Sequence, residues 1–183
     1  MTLQASLAEP VTGSGTRPVI AFIGLGANLG DAPATLAAAS RRLGALPASR
    51  PVGRSSRYRS TPLDADGPDF ANAVVAIETQ LPPARLLAEL QAIEAAFGRA
   101  RPYRNAPRTL DLDLLTYGDL RIDSAALTVP HPRLHQRAFV LAPLAELAPD
   151  LDIPGLGPVR DLLAKCPDQA VSRVGPLDSP GIS

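Results

Sequence analysis

The sequence predicts an α+β fold of order β-α-β-β-α-β, the ferredoxin-like arrangement with helices on one face of an antiparallel sheet. Two observations carry this. Apolar, strand-like runs at residues 19–23, 70–79 and 109–117 are separated by two segments of helical period, at 31–44 and 83–98. A further polar run at 51–59 puts two strands between the two helices.

Each element has a local reason. VIAFI at 19–23 is a buried strand, stopped by the glycines that follow. Asp31 can cap the next helix, with Pro33 in its first turn and Gly44 past its end, and Leu36 and Leu43 share one face. PVGRSSRYR (51–59) is a weak strand suited to an edge. The loop STPLDADGPD leads into FANAVVAIET (70–79), where Ala73, Val75 and Ile77 alternate against Val74 and Ala76. Leu86, Leu87, Leu90, Ile93 and Phe97 form one apolar stripe on the helix at 83–98. TLDLDLLTY (109–117) alternates as a strand, 118–132 reads as a hairpin returning through LTV, and 133–148 as short helical turns. A single domain is expected over 18–174, with flexible tails at 1–17 and 175–183.

The 183 residues suffice for one domain with a real core, and a hydrophobic fraction of 45% argues against global disorder. Eighteen basic and eighteen acidic residues cancel, so no global charge favours nucleic acid or an anionic membrane. The single cysteine, Cys166, excludes an intramolecular disulfide and fits a reducing cytoplasm. No apolar run approaches the ~20 residues of a membrane span, and the N-terminal stretch lacks the basic region and apolar core of a signal peptide.

The chemistry concentrates in RPYRNAPRTLDLDLL, residues 101–115. On a strand Asp111 and Asp113 point the same way, with α-carbons roughly 6.6 Å apart. Such a pair suits magnesium, which takes one or two carboxylates and completes its shell with substrate phosphates. An acidic outer face on a half-exposed strand fits the same pattern. Arg99, Arg101, Arg104 and Arg108 tilt the balance, because guanidinium forks match phosphate oxygens. Arg137 is a further, isolated candidate. His131, held between Pro130 and Pro132, can donate to a phosphate or simply pack in its loop. GLGANLGD has the spacing GxGxxxG, which is not a dinucleotide fingerprint, so its glycines are expected to shape a turn beside the site. No P-loop is present. Phe70, Asn72 and Phe139 suit a flat heterocycle, held by aromatic faces and an amide, or else belong to the core.

RNAPRTLDLDLL, from Arg104 to Leu115, resembles the signature of the 6-hydroxymethyl-7,8-dihydropterin pyrophosphokinases. FIGLGANLGD, FANAVVAIET, GRARPYR and LTVPHPRLHQRAFVLAPLAELAPDL match in order, so the similarity spans roughly residues 19–165. It implies a ferredoxin-like fold and transfer of pyrophosphate from ATP to a pterin hydroxymethyl group, giving AMP, in folate biosynthesis. Asp111 and Asp113 would hold two Mg²⁺, and Arg99 and Arg108 would act from a mobile catalytic loop. Gln91, Glu94, Arg101, Leu114, Thr128, His131 and Arg137 would contact the nucleotide. Phe70 and Phe139 would sandwich the pterin, Asn72 would pair with its edge, and Ser60, Thr61 and Leu63 would line its pocket. A cytoplasmic monomer acting on small molecules, without nucleic acid or membrane, is expected. The chain departs from the family pattern in having no Trp on that loop, Ala126 where an Arg is frequent, and Pro132 after His131. Two rivals remain, an RNA-binding domain and a regulatory ligand-binding domain. Aspartates stand where RNA stacking needs aromatics, and neither rival explains the signature.

Overall fold

The computed structural model describes residues 17–62, 67–98 and 109–178. Its sheet begins with β1 (Val19–Ala27), followed by α1 (Ala32–Gly44), β2 (Ser49–Arg54), β3 (Ser56–Ser60) and β4 (Phe70–Thr79). Then come α2 (Pro83–Ala96), β5 (Asp111–Tyr117) and the hairpin β6 (Ile122–Asp123) and β7 (Thr128–Val129). A 3₁₀ turn (Leu134–Gln136) precedes α3 (Ala138–Leu147), and the chain closes with β8 (Asp152–Ile153), β9 (Gly157–Pro158), α4 (Val159–Ala164) and β10 (Val171–Pro176). The main sheet runs β10-β3-β4-β1-β5, with β2 also on β4, and every pairing is antiparallel.

The expected pattern forms for the expected reasons. Asp31 Oδ1 accepts the Ala34 N–H at 3.0 Å at the head of α1, and Leu36 and Leu43 are fully buried. Leu86, Leu90 and Ile93 of α2 join them against Ile23, Leu25, Val75 and Ile77, forming the core on one face of the sheet. Burying each such side chain contributes about 1.5–3 kcal/mol. This is the ferredoxin-like unit, α1 and α2 on one face as predicted.

Three features go beyond that unit. The polar run at 51–59 is two strands, because buried Ser55 interrupts it: its hydroxyl accepts the Val74 N–H at 2.9 Å, and the chain turns from β2 into β3. Residues 138–147 are a ten-residue helix, not short turns. Together with α4, α3 covers the second face, where Leu141, Leu144, Val159 and Leu162 pack on Phe22, Val74, Ala76 and Leu115. Finally, the fold does not end at 174. β10 runs to Pro176 beside β3, Leu177 is buried at 3% exposure, and Asp178 pairs with Arg54 at 3.2 Å. The domain therefore takes in residues assigned to the C-terminal tail, because an edge strand needs only one partner, and β3 supplies it.

Candidate active site

The register of the three central strands builds the site. Gly26 lies between Asn72 of β4 and Asp111 of β5, and Gly24 between Val74 and Asp113. Residues paired across strands project from the same face, here the face covered by α3. Two glycines in the middle strand leave a slot floored by backbone, with carboxylates on one wall and Asn72 on the other. A Cβ on Gly26 would stand 3.6 Å from Asn72 Oδ1, and one on Gly24 would stand 3.3 Å from Leu115. Gly24 and Gly26 thus neither stop β1 nor shape a turn, contrary to their sequence context, whereas Gly30, with φ 59°, does lie in the bend before α1. The two strand glycines keep both ladders: at Gly24 the Leu115 side chain itself comes close to the backbone, and at Gly26 the space beside Asn72 stays open.

Asn72 is 4% exposed. Its amide donates to Ser60 Oγ at 2.9 Å and to the Phe70 carbonyl at 3.5 Å, so its orientation is fixed by β3. Across the slot, Asp113 Oδ2 lies 3.7 Å from His131 Nε2 and 3.7 Å from Arg137 Nη1. The Arg137 guanidinium also lies over the Phe139 ring, 5.6 Å from its centroid. His131 Nδ1 accepts the Arg133 N–H at 3.2 Å, which leaves Nε2 to carry the proton on the Asp113 side. Burial pushes the imidazole below its ordinary pKa, and the nearby Arg137 and Arg133 charges act the same way against Asp113 and Asp111. At neutral pH the ring is a neutral Nε2–H donor facing the carboxylate wall.

Helix α3 packs over β4 and β3. The residue before its first turn, Arg137, meets Asp113 on β5. At its far end Glu146 accepts from Ser56 Oγ and Tyr58 Oη of β3, both at 2.8 Å. Arg173 of β10 joins this far cluster, donating to Ser56 Oγ at 2.8 Å.

Burial alone would push the Glu146 carboxyl up. The hydrogen bonds from Ser56 and Tyr58, with the Arg173 charge, outweigh it and hold the carboxyl below its ordinary value. Tyr58 is pushed up to about 12 by burial and by Glu146. A depressed carboxyl contributes stability above its unfolded pKa and loses it as pH falls through the folded value. We predict that acid unfolding of the wild type, in the window below the ordinary glutamate pKa, carries a contribution that Glu146→Gln removes. Parallel wild-type and mutant stability–pH curves across that window would contradict this.

The remaining expected residues divide clearly. Arg99, Arg101, Arg108 and Leu63 lie outside the described residues. Ser60, Phe70, Asn72, Asp111, Asp113, His131, Arg137 and Phe139 all belong to the strands, loop and helix that bound the slot. Thr61 is exposed at the end of β3, and Thr128 is half-buried on β7. Gln91 is exposed on α2. Glu94, expected at the nucleotide, is instead 1% exposed, and its Oε1 accepts the Leu112 N–H at 2.8 Å. It thereby fixes β5 between its two aspartates. The Leu114 side chain faces the α1–α2 core, so only its backbone is left for a nucleotide. Sequence reasoning put Gly24 and Gly26 in a turn beside the site instead of in β1, and it missed Glu146. The glycines could have been found from their spacing of two on the face opposite Ile23 and Leu25; the long-range partners of Glu146 leave no local signal.

Comparison with known proteins shows the family. The family described as 7,8-dihydro-6-hydroxymethylpterin-pyrophosphokinase (HPPK) matches residues 22–149. The chain belongs to the HPPK family. It is therefore a pyrophosphokinase of folate biosynthesis. It is 47% identical over 155 residues to the 2-amino-4-hydroxy-6-hydroxymethyldihydropteridine pyrophosphokinase of Methylorubrum extorquens, covering 84% of this chain and 98% of that one. The enzyme of the same name from Pseudomonas aeruginosa is 46% identical over 154 residues, covering 84% and 95%. In three dimensions the chain resembles Plasmodium falciparum HPPK-DHPS bound to pteroate, with a TM-score of 0.65 at 12% identity. A triple mutant of that protein gives 0.68 at 14%. The chain covers 86% and 84% of its own length in these matches but only 45% and 44% of theirs, so they speak for the shared α+β fold. Among the described residues, no HPPK helix here is long and apolar enough to cross a membrane.

Proposed function

We propose that this HPPK enzyme transfers the terminal pyrophosphate of ATP to the hydroxymethyl oxygen of 6-hydroxymethyl-7,8-dihydropterin, with magnesium, and releases AMP. The pterin oxygen forms a bond to the β-phosphorus, the bond between the α,β-bridging oxygen and that phosphorus breaks, and the hydroxyl proton is lost to solvent. The observation that carries this reading is the slot. One register places Asp111 and Asp113 on one side of a glycine floor and Asn72 with its Ser60 and Phe70 partners on the other.

The residues fit magnesium. Asp111 and Asp113 are oxygen donors on one face of β5, and among the described residues no group of three or more His, Cys, Asp or Glu side chains could hold a metal. A two-carboxylate site of this kind leaves positions for phosphate oxygens and water, as magnesium prefers. Asp111 and Asp113 would hold two such ions, which neutralise charge on the triphosphate. The neutral His131 Nε2–H would donate to a phosphate oxygen. Arg137 would offset charge on the group in transfer, since phosphoryl chemistry depends on positioning and electrostatics rather than a covalent intermediate. Phe139 and Phe70 would bracket the pterin plane, and Asn72, held by Ser60, would pair with its edge. Arg99, Arg101 and Arg108 would close on the triphosphate, with Gln91, Thr128 and the Leu114 backbone toward the nucleoside, and Thr61 and Leu63 toward the pterin. The enzyme would work as a cytoplasmic monomer on small molecules alone.

Chromatography of reactions with ATP, reduced 6-hydroxymethylpterin and Mg²⁺ tests the reading. Pterin-dependent AMP is expected, absent with EDTA and restored by excess Mg²⁺. Turnover indifferent to EDTA would refute the role given to Asp111 and Asp113.

A further inference from the structure

Arg137 occupies an unusual place in the chain. It is a single extended residue, φ −125° and ψ 99°, between the 3₁₀ turn that ends at Gln136 and the first residue of α3, Ala138. A helix start of this kind leaves its first N–H groups without partners inside the helix, and Arg137 has no capping side chain of its own. The partner comes from far along the sequence. Gln169, half-buried in the turn before β10, accepts the Ala138 N–H on Oε1 at 2.9 Å and donates from Nε2 to the Gln136 carbonyl at 2.8 Å. One side-chain amide thus grips the peptide groups on both sides of Arg137. The segment leading to it runs along the same stretch, with Cys166 Sγ 3.7 Å from the His135 carbonyl.

We propose that Gln169 is a positioning residue for the transfer reaction: it fixes the backbone at Arg137 so that the guanidinium stays between Asp113 and Phe139. The proposal rests on the reading that Arg137 acts on the group in transfer. The family match ends at residue 149, so Gln169 brings in a segment beyond it. A side chain that holds both neighbours of a residue limits its φ and ψ, and with them the direction in which a long side chain leaves the backbone. The alternative is that Gln169 merely ties β10 to the body of the protein. Then its loss would act on the fold as a whole, whatever stands at position 137.

A double-mutant comparison separates the two. Gln169→Met keeps the length and removes both hydrogen bonds. Turnover should fall about tenfold in the otherwise wild-type enzyme, and by less than about twofold when Arg137 is already alanine, because residues that act through one another are not additive. Equal losses in the two backgrounds would overturn the proposal in favour of a general structural tie. If Arg137→Ala is costly while Gln169→Met is harmless, the proposal fails and the reading of Arg137 stands. If Arg137→Ala itself costs nothing, both fall together. Should Gln169→Met not fold, Gln169→Glu keeps the acceptor for Ala138 and loses the donor to Gln136, and the same comparison is made with it.

Discussion

Replacing Asp113 by asparagine should lower kcat by about 10³-fold while leaving the protein folded. The side chain is nearly isosteric, it is 32% exposed, and the β5–β1 ladder at Gly24 is made by backbone. What changes is charge. The carboxylate faces Arg137 and His131, each at 3.7 Å, and in the proposed enzyme it is one of two anionic anchors for magnesium. Asparagine keeps an oxygen but no charge, so the metal–triphosphate unit loses affinity and its fixed position, and Arg137 loses the group that directs it. The expected signature is a steep fall in kcat and a higher Mg²⁺ concentration for half-maximal turnover, with an unchanged thermal midpoint. A variant of normal turnover and normal Mg²⁺ dependence would remove the carboxylate wall from the site.

Gly26→Val should act on the other substrate. Valine is favoured in strands, and a Cβ at this position meets nothing closer than Asn72 Oδ1 at 3.6 Å. The sheet should accept it, and stability should hold or rise slightly. Its methyl groups, however, would occupy the floor between Asn72 and Asp111, where the pterin ring is proposed to lie. Losing that space and the access to Asn72 should raise the pterin Kd by about 100-fold or more, since both apolar contact and a directed hydrogen bond disappear. Mg²⁺–ATP affinity should change far less. Titration of the folded variant with each ligand decides the matter: equal weakening of both would mean that the slot is not divided as described.

These expectations depend on features unequally legible in the sequence. FANAVVAIET and the helix at 83–98 declare themselves, because alternation and a three-to-four spacing follow directly from which face must be buried. Asp111 and Asp113 were legible for the same reason, being out of phase with Leu110, Leu112 and Leu114. The course of β1 through Gly24 and Gly26 was not. Glycine ordinarily weakens a strand, and here it is tolerated between two complete ladders so that the floor stays open. β10 was hidden by its glycine and proline and by distance, since Val171 pairs with Ser60. α3 was obscured by Pro143 inside it, and what fixes its ends, Glu146 on β3 and Gln169 on Ala138, are contacts no local pattern encodes. The sequence therefore displays the groups proposed to do chemistry better than it displays what aims them.

The most direct measurement is to supply ATP labelled at the β-phosphate, with Mg²⁺ and the reduced pterin, and to follow the label in wild type and Asp113→Asn. Transfer of the terminal pyrophosphate predicts label in the pterin product and none in the released nucleotide, with the rate collapsing in the variant. Label retained in ADP would mean that a single phosphoryl group moves, and a pterin product labelled at the wild-type rate by Asp113→Asn would mean that the carboxylate wall is not where the transfer takes place.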